Sequence, residues 1–146
     1  MISVLICLLV GCQAPADVLT QEVQKLSGTW QVASSQNEGK DQTERAKGYR
    51  YVVEGQLMKL QDRQGKPIPR PDGKPDERSF LINVQTNPKT IDMTIQVRSN
   101  AYLSLGIYRL QENELTLCWA EPGLPRPTEF VSKQGVTLIV LQRMKK

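Results

Sequence analysis

The sequence of 146 residues contains no histidine, three cysteines and few aromatic side chains. Histidine is the usual general base near neutral pH and the commonest metal ligand, so its absence excludes a Ser-His-Asp triad, a Cys-His dyad and His-based zinc or haem sites. We find no nucleophile–base pair among the residues that remain. We therefore expect no catalytic residues, no metal site and no cofactor.

An excess of charge of one sign is also missing. The 19 basic residues are interleaved with 15 acidic ones along the chain, which leaves a net charge of only +4. Proteins that bind nucleic acids concentrate their cations in a patch or stripe. The even spread of charge in this sequence therefore argues against a nucleic acid as a partner.

The sequence has no hydrophobic run long enough for a transmembrane helix. Apolar or small residues fill Ile2 to Val10, which is about half of the roughly 20 residues that a membrane span needs. This run fits the apolar region of a signal peptide, and it ends in Leu9-Val10-Gly11-Cys12, which resembles the bacterial lipobox. We expect a signal peptide over 1–11, a polar tether and a short helix over 12–25, and one domain over 26–146.

The lipobox resemblance implies that the Cys12 thiol carries a diacylglyceryl group, which would hold the protein at a membrane of the cell envelope. Gln13 favours the outer membrane, because the Asp that often retains lipoproteins at the inner membrane does not follow Cys12. Secretion into the periplasm or beyond is the alternative, since no Lys or Arg precedes the apolar run and Ala14-Pro15-Ala16 is an ordinary cleavage pattern.

The other two cysteines receive simple interpretations. Cys7 would leave with the signal peptide, so Cys118 would be the single thiol of the mature domain. Without a histidine to activate it, Cys118 is interpreted as a small buried hydrophobe rather than a nucleophile.

From Gly28 onward, apolar and polar residues alternate between turn signals, which is typical of an antiparallel all-β domain. No connection is long enough for a crossover helix. A sandwich and a barrel both fit this pattern, but closure best removes exposed edges, so we predict an up-and-down barrel of eight or nine strands after a short helical turn. The predicted strands lie around Trp30–Val32, Tyr49–Val53, Phe80–Val84, Ile91–Val97, Leu103–Ile107, Leu115–Trp119, Phe130 and Val136–Leu141.

One stretch interrupts this alternation. Asp62 to Arg78 is rich in Pro, Gly and charge, and it contains the near-repeat Gly65-Lys66-Pro67 and Gly73-Lys74-Pro75. It is interpreted either as an exposed connection between two strands or as a mobile flap or partner-binding loop.

Three segments resemble one family: Leu26–Val32, Asn87–Thr94 and Gly106–Phe130. They are similar to the lipocalin-like domain family expanded in planctomycete-type bacteria, whose members are small exported proteins that often carry lipoprotein signals. The resemblance implies a lipocalin-like barrel. In lipocalins a Gly-x-Trp begins the first strand and an Arg from the last strand packs across the Trp. Gly28, Trp30 and Arg143 match these places, which implies that they close one barrel end through a cation–π contact.

A barrel of eight strands is about the size at which the interior is either filled or holds one small ligand. We therefore keep two functions open: binding of a small apolar or amphipathic ligand, and a ligand-free module that contacts another envelope protein. The candidate interior contacts are Val32, Tyr51, Met93, Ile95, Leu105, Ile107, Leu117 and Trp119.

Two charged residues are weighed separately. Arg126 is the first candidate to hold a polar ligand, and its alternative role is to fix its own hairpin through Glu121 or Glu129. Asp92 stands between apolar neighbours, and we expect it to face solvent or to pair with a Lys or Arg.

Overall fold

The computed structural model describes residues 15–145, so the predicted signal peptide and Cys12 lie outside the described residues. Two helices and nine strands make up this part of the chain. Their bounds are α1 (Pro15–Leu26), β1 (Gly28–Asn37), β2 (Lys40–Asp41), α2 (Thr43–Ala46), β3 (Arg50–Glu54), β4 (Leu57–Gln61), β5 (Glu77–Asn83), β6 (Lys89–Val97), β7 (Asn100–Gln111), β8 (Glu114–Ala120) and β9 (Val136–Arg143).

Eight of the strands form a closed antiparallel barrel. From β3 to β9 each strand pairs with the next along the chain, β1 pairs with β3, and β9 pairs back with β1 over Trp30–Asn37. The short β2 pairs only with the end of β1. The predicted up-and-down closed barrel is confirmed, and its closure leaves only short lengths of strand edge without a partner.

We call the barrel end where β1 begins the floor and the opposite end the mouth. The turns that join β3 to β4, β5 to β6 and β7 to β8 lie at the floor. The longer connections between β4 and β5 and between β8 and β9 lie at the mouth, together with α2. The helix α1 leads directly into β1 at the floor.

Apolar side chains fill the interior toward the floor, because alternate residues of each strand point inward. Each of these side chains is at most 2% exposed, and burial of one such side chain contributes about 1.5–3 kcal/mol. They are Trp30, Val53, Met58, Phe80, Ile91, Met93, Tyr108, Leu115, Leu117 and Leu141.

A second, smaller cluster lies on the outside of the barrel. Ile107, Cys118, Ala120 and Val136 are buried there, and Phe130 packs against them from the β8–β9 connection. The prediction of a strand around Phe130 is therefore wrong, since its ring covers the outer face of β7 and β8 instead of pairing. Cys118 is fully buried, as interpreted, and its burial raises the pKa of the thiol.

The helix predicted within 12–25 begins early in that range. α1 starts at Pro15 and runs for 12 residues, with Asp17 in its first turn where the helix dipole favours an acid. The strand β4 was not predicted, because Leu57 lies on the outer face beside the inward Met58 and breaks the alternation.

Residues 62–76 form a folded connection between β4 and β5, whereas Glu77 and Arg78, which the sequence placed in this stretch, already belong to β5. The near-repeat consists of two tight turns, in which Gly65 and Gly73 both have a φ of 82°, a conformation that glycine adopts at little cost. In each turn an aspartate accepts backbone N–H bonds, Asp62 from Gln64 and Lys66 and Asp72 from Lys74. The repeat therefore has a structural explanation as an exposed connection.

Candidate functional site

The floor is closed by the contact that the family resemblance implies. The Arg143 guanidinium lies over the Trp30 ring, 4.1 Å from its centroid. Its Nη1 donates to the Ser27 carbonyl at 2.8 Å and its Nη2 to the Lys25 carbonyl at 2.6 Å. A side chain at Gly28 would place its Cβ 2.9 Å from Arg143 Nη1, so glycine keeps this space open. One arginine thus ties the last strand to the end of α1.

A buried carboxylate fixes α1 from the other side. Glu22 is 6% exposed, and its Oε1 accepts hydrogen bonds from Lys89 Nζ at 2.7 Å and from Tyr108 Oη at 3.0 Å. Burial alone would raise the pKa of Glu22, but these two donors and the positive charge of Lys89 outweigh it and lower the pKa. The Trp30 indole donates to the Leu26 carbonyl at 2.9 Å. The floor is therefore both packed and cross-linked by polar contacts.

The mouth is built differently. Each barrel strand contributes one inward side chain near this end, and the strand pairings place these side chains around the opening. We call this set the mouth ring: Ser35, Tyr51, Leu60, Arg78, Ile95, Tyr102, Trp119 and Thr137.

Exposure separates the mouth ring from the filled interior below it. Tyr102 is 42% exposed, and Leu60, Ile95 and Trp119 are half-buried, whereas each of the ten apolar side chains that fill the interior is at most 2% exposed. Large apolar side chains are thus available to a bound molecule at the mouth. Trp119 sits over Gly106, where an added Cβ would lie 3.0 Å from the Cβ of Trp119.

A charged pair interrupts the apolar surface of the mouth ring. Arg78 donates from Nε to Asp76 Oδ1 at 3.1 Å and from Nη2 to Asp76 Oδ2 at 3.2 Å, with 21% and 14% of the two side chains exposed. Burial would lower the pKa of Arg78, and the contact with Asp76 outweighs this effect and raises it. Burial raises the pKa of Tyr51, which stays a neutral phenol beside this pair. Arg78 is the one charged side chain of the mouth ring.

The strand register divides the predicted interior contacts. Of the three that lie in the mouth ring, Tyr51 is 9% exposed while Ile95 and Trp119 are half-buried. Met93 and Leu117, like Val32, belong to the filled core, where no more than 3% of each is exposed. The structure therefore brings together only part of the predicted set at a surface that a ligand can reach.

Leu105 and Ile107 face the outside, so their prediction as interior contacts is wrong. Met93 pairs with Ser104 and Ile95 with Tyr102, which places these β7 residues on the inner face. Because neighbouring residues of a strand point to opposite faces, Leu105 and Ile107 point outward. The apolar run of β7 did not show which alternate set faces the interior.

Arg126 fixes a connection, but through a different partner from those predicted. Its Nη1 donates to Asp92 Oδ1 at 2.6 Å and to the Gly106 carbonyl at 2.7 Å on the outer face of the barrel. The expected partners Glu121 and Glu129 are not used in these bonds. Asp92 pairs with an arginine, as we expected.

Two residues of this site were not singled out from the sequence, Glu22 and Arg78. Glu22 lies four residues before the buried Leu26, so both share a helix face, and this spacing was a usable signal. Arg78 stands two residues before Phe80 in the same alternation, but its charge makes it resemble the charged stretch that precedes it.

Within residues 15–145, no group of three or more Cys, Asp or Glu side chains is arranged to hold a metal ion. Neither helix of this region has the length and apolar character that crossing a bilayer requires. A scan against protein-family models and searches of the curated proteins and of the solved structures found no match to this chain.

Proposed function

We propose that this chain is a lipocalin-like binding protein of the cell envelope, attached through a lipid on Cys12 and holding one small amphipathic ligand at the barrel mouth. The observation that carries the proposal is the exposure of large inward side chains at the mouth. Leu60, Ile95 and Trp119 are half-buried and Tyr102 is 42% exposed, whereas each of the ten side chains that fill the interior beneath them is at most 2% exposed.

The chemistry of the mouth ring favours an amphipathic ligand over a purely apolar one. Ile95, Tyr102 and Trp119 offer apolar area, and binding a chain against them would gain about 25 cal/mol per Å² removed from water. The Arg78–Asp76 bonds use Nε and Nη2 of the guanidinium, so Nη1 is the donor we assign to a polar head group. A purely apolar ligand would leave this charged pair desolvated without compensation.

The filled floor limits the ligand to the upper part of the barrel. Ten apolar side chains occupy the interior below the mouth ring, so a ligand that reaches the floor would have to displace them. We therefore propose shallow binding, with the chain of the ligand across the opening. The role needs no catalytic group, cofactor or nucleic-acid partner.

A titration with single-chain amphiphiles tests this function. We expect lauric acid or dodecylphosphocholine, each below its micelle concentration, to raise the melting temperature of the protein. Tyr102→Ser should weaken this stabilisation, because it removes an exposed ring from the mouth. The matched control is Leu81→Ser, which changes a 66% exposed side chain on the outer face. Absence of stabilisation, or an equal loss in both variants, would contradict ligand binding at the mouth.

The anchor has its own test. Labelled palmitate fed to cells that express the full chain should enter the protein, and Cys12→Ala should abolish the incorporation. Incorporation into both proteins would show that Cys12 is not the attachment site, and incorporation into neither would favour a secreted protein.

The second candidate function is a ligand-free module that contacts another envelope protein. The filled interior favours it, as do Leu81 and Leu103, which are 66% and 49% exposed on the outer face. Native mass spectrometry of the protein purified from its own membranes distinguishes the two. A copurifying small mass supports the ligand, and its absence together with no stabilisation by amphiphiles supports the module.

A further inference from the structure

One strand of the barrel lacks a neighbour along half of its length. β7 pairs with β6 from Asn100 to Tyr108, but its pairing with β8 begins only at Gly106. Among the strands described, residues 100–105 therefore have a partner on one side alone. We call this segment the β7 edge. Its second side offers backbone N–H and C=O groups that an added strand can pair with.

The β7 edge carries none of the usual protection against such pairing. Natural proteins place Lys, Pro or inward charges on exposed edges to prevent association. The sequence Ser-Asn-Ala-Tyr-Leu-Ser-Leu-Gly over 99–106 contains no charged residue and no proline. Two of its large side chains are solvent-exposed, Tyr102 at 42% and Leu103 at 49%. An unprotected and apolar edge is what a strand-pairing interface requires.

We propose that the β7 edge pairs antiparallel with the β7 edge of a second copy of the chain, around a two-fold axis at Leu103. In a two-fold antiparallel contact each residue of the edge lies opposite another residue of the same edge, so an edge with charges of one sign would repel itself. The absence of charge over 99–106 removes this repulsion, although the whole chain carries a net charge of +4. This is the property that favours a second copy as the occupant.

The side chains of the edge are compatible with this pairing. In the register centred on Leu103, Tyr102 lies opposite Ser104 of the second copy and Ala101 lies opposite Leu105. Leu103 and Leu105 of both copies then share the outer face, where each is otherwise exposed or half-buried. Tyr102 also belongs to the mouth ring, so the contact would place two mouths side by side. The inference does not require that a ligand binds.

The main experiment measures self-association of the full chain in mild detergent by analytical ultracentrifugation. We expect a dimer whose dissociation constant rises at least about tenfold in Leu103→Lys, because the two introduced cations meet at the axis. The matched control is Leu81→Lys, which changes an exposed leucine on the neighbouring part of the outer face. We expect this control to keep the affinity of the parent chain.

A second variant keeps the proposal testable if the lysine disturbs folding. Leu103→Cys should form a disulfide-linked dimer under mild oxidation, since the two positions face each other at the axis. Glu112→Cys, at an exposed floor turn, should give no more linked dimer than the parent chain. A parent chain that stays monomeric at its highest soluble concentration would overturn the proposal, as would equal weakening by Leu103→Lys and Leu81→Lys.

Discussion

The floor and the mouth of this barrel are built from different side chains. At the floor, Trp30 is fully buried and is covered by Arg143, while α1 is fixed to the barrel by Glu22. At the mouth, Trp119 is only half-buried and Tyr102 is exposed. The difference shows that a barrel of eight strands can be tightly packed at one end and leave large apolar side chains accessible at the other end.

Replacement of the two tryptophans should give the largest difference in stability between the floor and the mouth. Trp30→Ala removes a fully buried ring and the support of Arg143, so we expect a loss of about 3–5 kcal/mol in the free energy of unfolding. Trp119→Ala should cost less than half as much, because part of its ring already faces solvent. Urea unfolding followed by circular dichroism measures both values. Equal losses of unfolding free energy in the two variants would contradict the difference in packing between the floor and the mouth.

A side chain added at Gly106, beneath Trp119, should cause the next largest loss of stability. A Cβ at Gly106 would lie 2.8 Å from the Cys118 carbonyl oxygen and 3.2 Å from that of Ile91, and neither backbone atom moves easily. We expect Gly106→Ala to destabilise the protein by about 1–3 kcal/mol in the same urea experiment. Ser104→Ala, two residues earlier on the same face, is the control and should change stability by less than about 0.5 kcal/mol.

Neutralising Glu22, the buried carboxylate of α1, should cause a smaller loss of stability, and this loss should depend on pH. Glu22→Gln weakens the bonds to Lys89 and Tyr108, and we expect a loss of about 1–2 kcal/mol at neutral pH. Because the folded state lowers the pKa of Glu22, its contribution is complete above the usual glutamate pKa of about 4.3 and disappears as pH falls through the lowered value.

The measurement for Glu22 is the stability difference between the parent chain and Glu22→Gln across pH 3–7. This difference should be constant at the upper end and should shrink below the usual glutamate pKa. A difference that grows as pH falls would contradict the assignment of the carboxylate as the charged partner of Lys89.

Breaking the Arg126–Asp92 ion pair on the outer face should cause the smallest loss of stability. Arg126 and Asp92 are 30% and 35% exposed, and ion pairs of this kind contribute about 0–1 kcal/mol. A double-mutant cycle with Arg126→Gln and Asp92→Asn should give a coupling energy within that range. Arg126 is outside the mouth, so Arg126→Gln should leave amphiphile binding unchanged. A loss of binding in this variant would move the ligand site from the mouth to the β8–β9 connection.

Alternation of apolar and polar residues was enough to predict the closed antiparallel barrel. It located Ile91–Val97 and Leu115–Trp119, where the outward positions are mostly polar or small. It failed at Leu57 in β4 and at Leu105 in β7, because both are apolar residues on the outer face. When both the odd and the even positions of a strand carry apolar residues, the sequence does not show which of the two sets points inward. The pairing with the neighbouring strands is needed to decide.

The polar contacts of the site were harder to predict for a related reason. Arg126 meets Asp92 across 34 positions of the chain, and Glu22 meets Tyr108 across 86. Such pairs arise from the register of the closed barrel and leave no local pattern in the sequence. The Trp30–Arg143 contact was predicted only because the family resemblance supplied both positions.

Methyl NMR of the isoleucines under titration with lauric acid tests the division between floor and mouth most directly. Ile95 lies in the mouth ring, Ile91 is 1% exposed in the filled interior, and Ile107 is buried on the outside. The proposed function predicts that the Ile95 methyl resonance shifts with saturation while those of Ile91 and Ile107 stay in place. Shifts centred on Ile91 or Ile107, or no shift of Ile95 at saturating amphiphile, would contradict a ligand site at the mouth.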